Sequence, residues 1–348
     1  MHLKTVLMLS FYFIPWAVIV FGGIESFWIN LSLWVAMAFG MIGLGLGITH
    51  DANHGAYSPK KKINDRLGAL LNLIGGNHHT WKVQHNLKHH TYTNIQDHDE
   101  DMTNPVFRFA PTQPWKPHHR LQAYYAPLLY AIMSIYWFIR RDFLLVNRYA
   151  KEGLLRKVGT NRKKALTNIV AAKIVYVLLF ILIPILGSSL PWWQVILGFL
   201  AMHMVAGSLL ALIFQTGHAV EETTFFENPE DGSIENSWAV HQLLSTANYG
   251  TNNTALSWFI GGLNFQVEHH LFPNTCHIHY RSISRIVKKT AGEFGVPYHE
   301  IPTFWAAIKS HFHHLNQLGK GEESAVSNRV AAELNETSLQ YAPGSGGR

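Results

Sequence analysis

Residues 27–54 read FWINLSLWVAMAFGMIGLGLGITHDANH, and two different chemistries meet in this stretch. Residues 27–48 carry no charge. Crossing the hydrocarbon core of a bilayer as a helix takes about 20 such residues. Directly beyond the apolar run stand His50 and His54. At helical spacing i, i+4 both rings fall on one face. The stretch therefore predicts a membrane span that ends by presenting a pair of metal-ligating imidazoles.

Three further runs match it. Residues 6–22 and 192–214 are free of charge, although the latter holds Gln194 and His203, and residues 169–186 contain only Lys173. The connections at 23–26 and 187–191 are short. The predicted fold is an all-α integral membrane protein, with four transmembrane helices as two hairpins and a cytoplasmic helical cap. Of the 28 Lys and Arg, 18 lie in residues 49–168, and the two tight connections hold none. The positive-inside rule then places the middle segment and both termini in the cytoplasm. It also accounts for the net charge of +6 without a nucleic-acid partner. The first run lacks a small-residue cleavage site and contains Pro15 and Trp16, so it reads as a retained anchor and not a signal peptide. Shorter apolar runs at 124–139 and 67–74 are expected to lie in the membrane interface. One domain over 1–318 and a disordered polar tail over 319–348 complete the organisation.

Composition agrees. Charged residues make up 14% of the chain, against about 25% in a soluble domain. The single cysteine, Cys276, excludes a disulfide framework and thiolate metal clusters. The 22 His stand out, because imidazole is the commonest metal-ligand side chain. Beyond the first pair, His85, His89 and His90 stand in HNLKHH, His269 and His270 in QVEHH, and His218 in QTGH. A lone HxxxH pair is commonly an ordinary core or surface feature. Here the topology brings every cluster to one side of the membrane. A catalytic zinc takes three protein ligands and a structural one four. Eight imidazoles therefore suggest two ions, with the element left open among those imidazole suits, Fe, Cu, Zn and Ni.

The boxes HDANH, HNLKHH and QVEHH, in this order, resemble the membrane fatty acid desaturase family over roughly residues 5–315. Trp81 before the second box agrees, as do Thr93, Asn94 and Asp97 to Asp99 after it and Leu271-Phe272-Pro273 after the third. The resemblance implies two non-haem iron ions and O2 as co-substrate. It implies His50, His54, His85, His89, His90, His269 and His270 as ligands, and His218 matches a further one. Gln266, where a His would otherwise open the third box, is similar to front-end desaturases, which place a double bond between an existing one and the carboxyl end. The implied substrate is a fatty acyl-CoA or acyl-lipid. A membrane lipid hydroxylase shares the metal type. A His-rich metal transporter is a third reading, but it expects polar spans, and only Asn30, Lys173, Gln194 and His203 supply polar groups.

Around the boxes, Gln266, His241 and Asn248 are candidates for hydrogen bonds to a ligand or a metal-bound water. Asp51 and Glu268 could accept an imidazole N–H. His78 and His79 read as interfacial and His203 as a helix-to-helix hydrogen bond. His118, His119, His311, His313 and His314 read as surface clusters. There is no His-Pro-Gly-Gly haem run, no four-cysteine set and no glycine-rich dinucleotide fingerprint. Electrons are therefore expected from a separate ferredoxin or haem protein with its reductase. It would dock on the basic cytoplasmic face, which Arg281, Arg285, Lys288 and Lys289 extend. Cysteines placed at Ser58 and Ser188 should be labelled from opposite sides of the membrane; equal access for both would contradict the four-span topology.

Overall fold

The computed structural model describes residues 1–103, 105–228 and 236–321. These are mostly helical, and the β structure among them is a two-residue parallel pair, Asn248–Tyr249 with Glu300–Ile301, and a single bridge between Ile95 and Phe226. Among the described residues, four helices are long and apolar enough to cross a membrane: His2–Phe21, Phe27–Asn53, Arg162–Gly187 and Trp192–His218. The second and fourth have 27 residues each. That is about 40 Å of helix, against about 30 Å of hydrocarbon. The excess carries His50 and His218 past the apolar section while they remain on rigid helix.

Small residues let the spans approach closely. A Cβ on Gly40 would lie 2.5 Å from the Tyr12 backbone N, and one on Gly198 would lie 2.0 Å from the Trp34 ring. Polar side chains tie the helices together, as is usual where apolar contact gives no selectivity. Asn30 Nδ2 donates to the Gln194 carbonyl (3.3 Å) and Trp34 Nε1 donates to Asn30 Oδ1 (3.0 Å). His203 is wholly buried between Ser134 Oγ and Tyr176 Oη, each 3.0 Å from a ring nitrogen. It is the helix-to-helix link expected of it. The fourth span rests chiefly on the second span and on the helix Gln122–Tyr136.

That helix was expected to float in the interface. Instead it lies along the fourth span, because Ala126, Ala131 and Ser134 give it a small-residue face; Gly207 meets the carbonyls of Tyr130 and Ala131 there. Its other face, with Tyr124, Leu128 and Ile132, is exposed. The 67–74 run differs from expectation as well. It tucks into the bundle as a tight helix, Ala69–Ile74, with Leu71 and Ile74 in the core. Irregular backbone among spans needs its polar groups satisfied by protein. Tyr12 Oη donates to the Leu73 carbonyl (3.1 Å) and Lys173 Nζ to that of Gly75 (2.6 Å). Lys173 also pairs with buried Asp142 (2.7 Å), which in turn accepts from Thr80 Oγ1 (2.8 Å) in the short helix His78–Trp81 that precedes the second box. Thus Lys173, the one charge in the apolar run 169–186, anchors the segment that delivers His85 to His90. At the C-terminus the helix Phe304–Lys320 includes Gly319 and Lys320. The polar tail predicted from 319 otherwise lies outside the described residues.

Candidate metal centre

Each histidine box reaches the centre on a different backbone. The first leaves the second span through a π-turn, Gly45–Thr49, and then His50–Asn53 is α-helical. The second is itself a π-helix, Lys82–His89. The His90 N–H donates to the His85 carbonyl five residues back (3.0 Å), so His90 stands over His85. The third box forms the short helix Gln266–Leu271.

All eight predicted imidazoles converge and are buried. Ligand-capable atoms of His50, His54, His85 and His269 lie within 4.8 Å of one another, and those of His89, His218 and His270 form a second such group. His90 clusters with His269 and His270, between the two. The closest approaches are His50 Nε2 to His85 Nε2, 3.1 Å, and His90 Nε2 to His85 Nε2, 3.2 Å.

The far ring nitrogens are held from outside. His89 Nδ1 faces Asp99 Oδ2 (2.9 Å), His270 Nδ1 faces Gln242 Oε1 (2.8 Å) and His269 Nδ1 faces Tyr280 Oη (3.2 Å). Among the described residues, Nε2 of each of these three rings has no hydrogen-bond partner, and neither nitrogen of His218 has one. Buried polar atoms are ordinarily satisfied. Rings pinned at one nitrogen and open at the other, aimed at a common point, are the arrangement of metal-ligating histidines. Burial keeps His54, His85, His90, His269 and His270 well below the ordinary imidazole pKa, hence neutral with a lone pair to give. Burial also opposes charge on His89, but Asp99 outweighs it and raises the pKa. The residues present therefore fit two imidazole-bound cations.

The supporting residues sort differently from the expectation. His241 does not touch a ring of the cluster; its Nε2 donates to the Thr93 carbonyl (2.7 Å). Asn248 accepts from the Val267 N–H and donates to Glu268, so it fixes the start of the third box. Gln266 lies buried against Gly217, beside His218, with its Oε1 unpartnered. Neither Asp51 nor Glu268 is a surface charge. Burial pushes the Glu268 carboxyl up to about 7, against hydrogen bonds from Asn248 and Tyr298. His119, His311 and His314, expected at the surface, are buried. His311 bridges the Ala219 carbonyl and Tyr130 Oη, and His314 bonds the Phe109 carbonyl. The reading in sequence overlooked Asn94 and Gln242. Asn94, at φ 56°, donates to the carbonyls of His218, Thr224 and Ser245, clipping together the segments on either side of the site. Its place in the motif after the second box was the available signal.

The family model for fatty acid desaturase matches residues 26–302. The chain belongs to the fatty acid desaturase family. Among its relatives, the sn-1 linoleoyl-lipid 6-desaturase of Synechocystis is 36% identical, over 92% of this chain and 89% of that protein. An acyl-lipid (8-3)-desaturase of Physcomitrium patens is 32% identical over 92% and 67%. A probable Delta(5) fatty acid desaturase C of Dictyostelium discoideum is 32% identical over 86% and 66%. The desaturase is thus an oxidoreductase of the front-end type, and the transporter reading is set aside. His311 and His314 belong to the scaffold. His311→Ala and His314→Ala should each destabilise the desaturase by about 1–3 kcal/mol by stranding buried partners, whereas exposed His118→Ala should change stability by under about 0.5 kcal/mol. Thermal unfolding in detergent checks this, and equal effects at the three positions would contradict it.

Proposed function

We propose that this desaturase binds two iron ions in the histidine cluster and inserts a double bond on the carboxyl side of an existing one in a lipid-linked acyl chain. The observation that carries the reading is the pair of buried imidazole groups with open, converging nitrogens. The names of its relatives, a linoleoyl-lipid 6-desaturase and an acyl-lipid (8-3)-desaturase, support the substrate class and regiochemistry. The balanced reaction takes one CH2–CH2 unit, O2, two electrons and two protons to CH=CH and two waters. The iron pair would supply the oxidising power that no side chain has.

In this reading His50, His54, His85 and His269 hold one ion and His89, His218 and His270 the other, with His90 between them. Asp99, Gln242 and Tyr280 orient three of these rings. The closed shell of Trp81, which stacks on His85 at 4.4 Å, and of Phe214 beside His89 at 5.1 Å keeps water from the centre. The two hairpins cross the bilayer with the cap and both termini on the cytoplasmic side, a placement supported by the Lys and Arg distribution. There the exposed Arg281, Arg285 and Lys289 suit a separate acidic electron donor.

The test is product analysis with the purified chain in lipid, a ferredoxin and its reductase. The account expects a new bond on the carboxyl side of the existing one, none with NADPH alone, and none from His90→Ala or His270→Ala. A methyl-side bond would refute the regiochemistry, and a hydroxylated product would favour the hydroxylase. Full turnover on NADPH alone would remove the separate donor.

A further inference from the structure

Lys4 lies in the first turn of the first span and is 4% exposed. Lysine is almost never buried without a partner. Its Nζ is 3.0 Å from His277 Nε2 and 5.6 Å from the centre of the Trp258 ring. An ammonium only donates. His277 Nε2 is therefore the acceptor, and the ring proton sits on Nδ1, which donates to Asp51 Oδ2 at 2.7 Å. Cys276 Sγ donates to the same oxygen (3.2 Å). The other oxygen of Asp51 faces His50 Nδ1 at 4.0 Å. Three residues beyond His277, Tyr280 Oη contacts His269 Nδ1.

His50 and His269 belong to the same group of imidazoles. The segment 276–280 thus braces that group from outside, through Asp51 on one ring and Tyr280 on another. The second group has its own supports, Asp99 on His89 and Gln242 with Thr93 on His270. The seat of Lys4 is specific. A Cβ on Gly47, in the π-turn below the first box, would lie 2.7 Å from Lys4 Nζ. Gly261 closes on the same turn at φ +69°, where a Cβ would lie 2.4 Å from the Leu46 carbonyl oxygen.

We infer that Lys4 is a positioning residue for the ion held by His50, His54, His85 and His269, acting through His277 and Asp51, and that the ion at His89, His218 and His270 is independent of it. This rests on the reading of the cluster as a two-iron centre. Lys4 fixes the tautomer of His277 and balances the charge of Asp51. Asp51 in turn places a negative oxygen behind the ring of one ligand. A change at the N-terminal helix would then reach one ion and leave the other unchanged.

The test is Mössbauer spectroscopy of the iron-57 holoenzyme, with iron content and thermal unfolding, on wild type, Lys4→Met and Gly47→Ala. Lys4→Met keeps most of the apolar stem of the side chain and removes its charge. Gly47→Ala keeps the charge and displaces it. Both should shift or weaken one quadrupole doublet and leave the other as in wild type, with iron falling from about two per chain towards one. Unchanged doublets in both variants would overturn the inference, as would equal loss at both sites with a matching fall in Tm. A wild-type protein that takes up no iron would overturn the two-iron reading itself, and the inference with it.

Discussion

A buried imidazole has two nitrogens, and in a site closed to water both need a partner. In this desaturase the outward nitrogens of His89, His269 and His270 meet Asp99, Tyr280 and Gln242, while the inward ones meet no partner among the described residues. The rest of the structure can be read from that imbalance. Converging lone pairs repel one another and leave buried acceptors unpaired, and the cations proposed above would complete them. The supports around the rings hold that arrangement in place.

The bilayer sets where the assembly can form. Two spans run on past the apolar section and carry His50 and His218 on continuous helix. The second box arrives by a less direct route. It follows a tight segment tucked among the spans, whose carbonyls are satisfied by Tyr12 and by Lys173, and Thr80, in the short helix that precedes it, is tied to Asp142. The third box is fixed by Asn248, whose side chain binds both Val267 and Glu268. Function follows from the meeting of these elements. The rings are held in place by polar contacts around them and by the tightly packed spans, where Gly40, Gly198 and Gly207 lack the side chains that would hold the backbones apart.

The spans, the eight histidines and the family were legible because each depends on residue type and spacing. The parts that were not legible depend on backbone insertions and distant contacts. No residue type announces a π-helix, so the pairing of His90 with His85 could not be read from HNLKHH. Residues 67–74 look like an interface helix by length and apolarity. Only the acceptors of Tyr12 and Lys173 show that they enter the bundle. His311 and His314 sit near a polar tail and seem solvated, yet the carbonyls of Ala219 and Phe109 close over them. Lys4 and His277 stand 273 residues apart and share no motif. Asp51 was noticed beside its ligand, but its partner could come only from the fold.

Metal analysis of gently purified protein tests the central claim most directly. The account predicts about two iron ions per chain, bound by imidazole nitrogen. One zinc per chain and no iron would contradict it.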